Sequence, residues 1–318
     1  MKILLRWIVL LLASGAVWAQ SWPGQSIKIV VPFTPGTGMD TIARTVAPKL
    51  SERLGQPVVV SNVPGASGNI GADQVAKSNP DGYTVLMGAN TMLMAAQLYK
   101  SVPFDPIKDF SPVSMAAWGT LMLVSNPKSG IRSMQELIAQ AKARPGSVTY
   151  GSPGVGTPHH MAMELFKAQT NLFMLHVPYR GSAGYTQDLL AGEIQVGFLP
   201  VHVAQGMVKS GRLLALAVGS PQRHQLAPDV PTVQELGVKG VNVDMWYAFF
   251  VPNKTPDSVI QRLNKEFVDI LRLSDVSGVL GKAGLVADSS SPATLSDIVN
   301  KDYPRWGQVI RSKGISSD

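Results

Sequence analysis

An α/β architecture follows from two observations in the sequence. Apolar, β-branched runs of strand length recur along the chain, and helical patterns follow many of them. Several runs are apolar throughout, as in strands of a mainly parallel sheet covered on both faces. A third observation divides the fold into two lobes. The turn-rich segments SNPKSG (125–130) and VPNKTP (251–256) each come just after an apolar strand. Two such crossings make residues 125–250 a lobe inserted into another built from 20–124 and 251–318. That is the plan of a hinged pair of lobes with a cleft between them, and 318 residues suffice for two domains.

Taken in order, the runs predict strands at Ile27–Phe33, Val58–Val63, Thr84–Ala89, Leu121–Ser125, Val148–Gly151, Leu175–Tyr179, Val196–Val201, Leu213–Val218 and Ala248–Val251. In Asp40–Leu54, the residues Ile42, Val46, Leu50 and Leu54 recur every four positions, which predicts a helix. Pro48 inside it should kink or split that helix. Ser133-Met-Gln-Glu136 and Thr232-Val-Gln-Glu235 read as capping boxes that open helices. Thr255-Pro256-Asp257 combines an N-cap, a proline at the first helical position and an acid in the first turn. It opens an amphipathic stretch with Val259, Ile260, Leu263, Phe267, Ile270 and Leu271. No internal repeat or low-complexity tract interrupts this order.

Composition narrows the function. Hydrophobic residues make up 45% and charged residues 15%, enough apolar material for real cores. The formal net charge is +7, but the basic residues are scattered, without the clustered stripe that nucleic-acid binding needs. The chain has no cysteine, which excludes disulfides, zinc-thiolate sites and a thiol nucleophile. At the N-terminus, Lys2 and Arg6 precede the apolar run Ile8–Leu12, and Val17-Trp18-Ala19 resembles a cleavage site. This reads as an export signal, residues 1–19, cut near Ala19. The run is short for an uncleaved membrane anchor.

The candidate site lies in four loops, each between a strand's C-terminal end and a helix start. They are PFTPGTGMD (32–40), NVPGASGNIG (62–71), MGANTM (87–92) and YGSPGVGTPHH (150–160). In open α/β sheets that edge is where ligands bind. The first loop has the outline of a phosphate-binding loop. However, Thr41 stands where a dinucleotide fingerprint has its third glycine, no Gly-Lys-Ser/Thr occurs, and Pro32 and Pro35 remove N–H donors. Hydroxyls, amides and glycines dominate all four loops, and cationic side chains are almost absent. That chemistry suits a carboxylate held by N–H groups, hydroxyls and helix dipoles.

Catalytic and metal readings find less support. GASGN (65–69) ends in Asn69 where a nucleophile elbow has glycine. His159, His160 and Glu164 have helical spacing but lack the second half of a zinc motif. Asp244 has no visible acid–base partner. No nucleophile with a base can be assembled from the sequence.

Six stations resemble the Bug family, the periplasmic receptors of tripartite tricarboxylate transporters. In order they are IKIVVPFTPGTGMDTIAR, LSERLGQPVVVSNVPGASGNIGADQVAKSNPDGYTVLMG, YGSPGVGTPHHMAMELF, HVPYRGSAGYTQDLLAGEIQVGF, APDVPTVQELG and WYAFFVPNKTP. The resemblance implies a two-lobed, periplasmic-binding-protein-like receptor that is not an enzyme and needs no cofactor. It would close on a small organic acid and deliver it to the membrane components of the transporter. Carried onto matching positions, it points to Thr37, Gly38 and Asp40, to Ala66, Ser67 and Asn69, and to Asn90. From the inserted lobe it adds Ser152, Gly156, Thr157 and His160, then Tyr179, Arg180 and Gly181. Asp188 matches a recurrent acid that orders a helix or water network. The chain departs from the family pattern at Thr37 and Ser67, where glycines are usual, and at Gly184 and Tyr185, where Pro and Ala are common. Tyr185 is expected either to narrow the cleft or to lie outside it.

Overall fold

The computed structural model describes residues 22–243 and 245–316. The expected export signal and Asp244 lie outside the described residues. Two sheets form the scaffold. The first has the order β11-β4-β10-β3-β1-β2 and the second β7-β6-β8-β5-β9. The two-lobed α/β class holds, but the sheets are mixed rather than mainly parallel. Strands β1 (Ile27–Val31), β2 (Val58–Asn62) and β3 (Thr84–Ala89) run parallel, as do β6 (Thr149–Ser152), β7 (Leu175–Pro178) and β8 (Val196–Pro200). The antiparallel pairs come from strands near the crossings. β10 (Met245–Pro252) lies between β3 and β4 (Phe110–Gly119), and β5 (Leu121–Ser125) lies between β8 and β9 (Leu214–Val218). The short edge strand β11 (Leu285–Ala287) completes the first sheet.

Sheet membership also moves the crossings. β5 belongs to the second sheet, so the chain leaves the first at Thr120, the residue between β4 and β5. It returns between Val218 and Met245, before the turn at 251–256. Strand β4 escapes a reading by apolar runs because Ser111, Pro112 and Ser114 interrupt it. Pro112 cannot donate to the ladder, and the register against β10 shifts beside it, between Phe249 and Phe250.

Helices cover both faces of the first sheet. Helix α1 (Gly38–Leu54) buries Ile42, Val46, Leu50 and Leu54, as their spacing predicts. It is one helix despite Pro48. Pro48 and Arg44 are both exposed, so the carbonyl that loses its partner faces water. On the other face lie α2 (Asn69–Ala76) and α3 (Thr91–Leu98). The second sheet carries α4 (Met134–Ala143), α5 (Pro158–Thr170), α6 (Ser182–Ala191) and α7 (Val201–Lys209). The returning chain adds α8 (Asp257–Leu271), α9 (Ser274–Lys282) and α10 (Pro292–Ser312) to the first lobe. Within α8, all six predicted apolar positions are buried, and Phe267 stacks on Phe249 at 3.9 Å.

Two helix starts differ from expectation. Thr255 does not cap α8; its hydroxyl donates to the Pro252 carbonyl, and the helix opens one residue later on Pro256. The Thr232–Glu235 box forms reciprocally, Thr232 N–H to Glu235 Oε2 at 2.7 Å and Glu235 N–H to Thr232 Oγ1 at 3.0 Å. Only a turn follows, because Gly237, at φ +92°, ends it before a helix can propagate.

Candidate functional site

The carboxyl ends of the parallel strands of both sheets face one cleft. Its larger chamber, about 400 Å³, is lined by the starts of five helices. Thr37–Met39 opens α1, Asn90–Thr91 opens α3 and Thr157–His159 opens α5; Ser182–Ala183 and Pro200–Val203 serve α6 and α7. A helix leaves its first N–H groups without intrahelical partners and carries a partial positive charge there. Five such ends around one chamber offer it partial positive charge, and no lysine or arginine occurs among the described residues that line it.

Two of these ends are built alike. After β1, Thr37 is the N-cap of α1 and its hydroxyl accepts from the Asp40 N–H at 3.4 Å. The Asp40 carboxylate reaches back and accepts from the Gly36 N–H at 3.0 Å. After β6, Thr157 caps α5 and accepts from the His160 N–H at 3.4 Å, while His160 Nδ1 accepts from the Gly156 N–H at 3.3 Å. Asp40 also accepts from Arg44 Nε and Asn62 Nδ2, both at 2.9 Å. Burial works against its charge, yet the Gly36 N–H, Arg44 and Asn62 together hold the carboxyl below its ordinary value. His160 bonds to no carboxylate among the described residues. It stacks on His176 at 4.4 Å, and burial, aided by Lys167, pushes its pKa down to about 3. One loop is therefore tied by a charged group and the other by a neutral one.

The sequence-predicted residues divide into three sets. Thr37, Gly38, Asn90 and Thr157 line the larger chamber. Ala66, Ser67, Tyr179, Arg180 and Gly181 line a neighbouring chamber of about 300 Å³. Phe33 and Pro153 line both and form the partition. Asp40, Asn69, Ser152, Gly156 and His160 line neither chamber, and all are buried or packed below the surface. Asp40, Ser152 and His160 brace the loops, with Asp40 also bonded to Arg44 and Asn62 and Ser152 to His176. Asp188 accepts from the Tyr179 hydroxyl at 2.6 Å, which ties the segment before α6 to that helix.

Glycines bring the two lobes together. A Cβ on Gly156 would stand 2.8 Å from the Ala95 Cα, and one on Gly154 would stand 2.5 Å from the Ser67 hydroxyl. Gly181 meets Thr34 in the same way, at 3.2 Å. In each pair one residue belongs to the second lobe and the other to the first, so this is a closed arrangement. Ala66 and Ser67 adopt left-handed backbone, at φ 46° and 54°, which explains why glycine suits position 67. Ser67 is held there by a 3.2 Å hydrogen bond with the Tyr99 hydroxyl.

Sequence reasoning missed two wall residues, Tyr247 and His159, and left a third, Tyr185, open. Tyr185 is fully buried on the wall of the larger chamber, over Gly151 and Gly197, and donates to the Phe198 carbonyl at 2.7 Å. It narrows the cleft rather than lying outside it. Tyr247 packs on Gly38, whose added Cβ would stand 2.9 Å from the phenol oxygen. His159 lines the chamber, and both its ring nitrogens are buried without a hydrogen-bond partner among the described residues. The signal for His159 was its place two residues after the N-cap Thr157, inside the first turn.

The catalytic and metal alternatives meet specific geometry. Ser152 Oγ and His176 Nε2 are 2.8 Å apart, a serine–histidine pair. Ser152 has no exposed surface, lines neither chamber, and also hydrogen-bonds Gly154. His176 Nδ1 has no carboxylate to orient it. The pair therefore braces the loop after β6. His159, His160 and Glu164 do not converge: His159 faces the chamber, His160 bonds Gly156, and Glu164 holds Tyr150 and Lys167.

A hinged pair of mixed-sheet lobes with helix starts around a shared chamber defines the class of solute-binding receptors. Residues 42–315 match the TctC family, described as tripartite tricarboxylate transporter family receptor, and the chain belongs to that family. Protein BugT of Bordetella pertussis is 36% identical over 303 residues, 95% of this chain and 93% of BugT. An R. palustris protein solved with adipate is 32% identical with a TM-score of 0.88, covering 93% of this chain and 99% of that one. MatC from Rhodopseudomonas palustris, solved with bound malate, is 27% identical with a TM-score of 0.86, covering 91% of this chain and 100% of MatC.

Proposed function

We propose that this chain is a periplasmic receptor that captures a small organic carboxylate between its lobes and delivers it to the membrane components of a tripartite tricarboxylate-type transporter. The observation that carries the reading is the convergence of five helix starts on one chamber. Relatives solved with adipate and malate support the same ligand class. The ligand-binding set comprises Thr37, Gly38, Asn90 and Thr157, joined by Ala66, Ser67, Tyr179, Arg180 and Gly181 beyond the partition. Asp40, Asn69, Ser152, Gly156 and His160 shape the loops that present them.

A carboxylate gains about 1.5–3 kcal/mol per charge-assisted hydrogen bond, and each helix end adds roughly 0.3–1 kcal/mol. Four or five contacts reach the roughly 8 kcal/mol of a micromolar complex before ordering costs. Because the two lobes supply these contacts jointly, binding shifts an open–closed equilibrium toward the closed form. Export fits the N-terminal pattern, with cleavage near Ala19, and no nucleic acid or cofactor enters the scheme.

A thermal-shift panel of mono-, di- and tricarboxylates tests the proposal. Stabilisation by at least one acid at millimolar concentration is expected. No shift with any of them contradicts it.

A further inference from the structure

The start of α7 is tied to both crossings between the lobes. Its first residue, Val201, donates its N–H to the carbonyl of Thr120, where the chain leaves the first lobe, at 3.0 Å. One turn on, Gln205 Nε2 donates to the carbonyl of Leu226, in the segment that leads back. Between these ties, His202 bears on Gly284 of the first lobe. A Cβ on Gly284 would stand 2.9 Å from the His202 Cβ and 3.1 Å from the His202 backbone nitrogen. Pro200, His202 and Val203 line the larger chamber. Gly284 lines neither chamber and belongs to a separate groove, with Thr120 and residues 220–226.

Neither side of this contact can yield by turning the tip of a side chain, since the atoms that meet Gly284 are a Cβ and a main-chain nitrogen. Gly284 is buried, and Leu285 beside it pairs with Gly119 in β4, the residue before Thr120. Its φ of +64° favours glycine, and the close approach demands glycine a second time. A close-packed interior passes a displacement on to its neighbours. The neighbour here is a helix start whose other residues form the wall of the ligand chamber.

We infer, resting on the carboxylate reading, that Gly284 is a positioning residue for acid binding: through His202 it sets the start of α7 against the first lobe, and with it the affinity of a chamber that Gly284 does not line. The effect is steric and passes through the contact of these two residues.

Titration calorimetry beside thermal melting tests this on the purified chain with adipate, malate and phenylacetate, at one pH and ionic strength. The matched control is Gly211→Ala, in an exposed turn after α7, where φ is +71° and nothing stands within 4 Å of the added Cβ. Both alanine variants should melt earlier than the native chain. Only Gly284→Ala should also weaken whichever acids the native chain binds, by about fivefold or more. His202→Gly removes the Cβ that the new methyl group would meet. In that background Gly284→Ala should weaken binding by no more than about twofold, a coupling that the double-mutant cycle reads directly. Should Gly284→Ala fail to fold, Gln205→Ala decides: it frees the same helix start from outside both chambers and should weaken binding by about twofold or more. Equal affinities in Gly284→Ala and Gly211→Ala, or a native affinity in Gln205→Ala where that variant decides, overturn the inference and leave the carboxylate reading standing. A loss that is as large in the His202→Gly background overturns the route through His202. Failure of every acid to bind the native chain contradicts the carboxylate reading itself and this inference with it.

Discussion

The loops after β1 and β6 share one capping plan. Each has a left-handed glycine, a threonine N-cap and a side chain at the third helical residue that reaches back to the glycine N–H. They differ in two respects. Asp40 is a carboxylate tied to Arg44 and Asn62, whereas His160 is a neutral ring stacked on another. Gly36 has nothing within 4 Å of its would-be Cβ, whereas Gly156 faces the Ala95 backbone of the other lobe. The first loop is held by its own ion pair and meets the other lobe through Thr34, against Gly181, rather than through its capping glycine. In the second loop the glycine itself meets the other lobe. The same capping device thus leaves its glycine clear on one side and puts it in the contact on the other.

The strongest way to break this comparison is to substitute the two glycines. Gly36→Ala and Gly156→Ala both place a side chain at positive φ, costing about 1–2 kcal/mol of stability each. Only Gly156→Ala should also obstruct closure, weakening acid binding by roughly tenfold or more. Calorimetry beside thermal melting separates the effects; equal losses of affinity would contradict the assigned roles. Next in size are the tethers. Asp40→Asn removes a charge that three groups share and should cost about 1.5–3 kcal/mol in urea unfolding, against about 1 kcal/mol for His160→Gln. The reverse order would show that the neutral tether is the stronger.

Acid should sharpen the same contrast. His159, His160 and His176 are pushed down to about 3 by burial, from an ordinary value of 6.5. Their contribution to stability is complete above pH 6.5 and falls as the pH drops toward 3, because the unfolded chain takes up protons that the fold refuses. Asp40, lowered from 3.8, loses its contribution only below that value. The urea midpoint should therefore decline between pH 6.5 and 4 through histidines, and His160→Gln should flatten the decline. A midpoint constant over that range would contradict the histidine assignment. The smallest expected effect is Tyr185→Phe, about 1 kcal/mol for the lost bond to Phe198.

Much of this was legible in the sequence where one local rule dominates. The stripe in α1, the six apolar positions of α8 and the threonine before Pro158 all depend on neighbours within a few residues. Strand β4 was not legible, since its Ser and Pro are tolerated only because β10 and β11 flank it. That Pro48 would not split α1 was not legible, because exposure of Arg44 is a tertiary fact. At the site, residue type picked loops that border the two chambers but not which side chains line them. Asp40 and His160 look like ligand groups in sequence and turn inward to the glycines. His159, one residue from His160, turns outward because a helix moves successive side chains about 100° around its axis.

The central claim is that the lobes close on a carboxylate with the glycine edges in contact. The chain has no cysteine, so spin labels on Glu52→Cys and Lys142→Cys, exposed residues of the two lobes, report one distance only. Double electron–electron resonance should show that distance narrowing to a single population when the acid with the largest thermal shift is added, and failing to do so in Gly156→Ala. An acid that binds while leaving the distance distribution of the native chain unchanged would contradict closure.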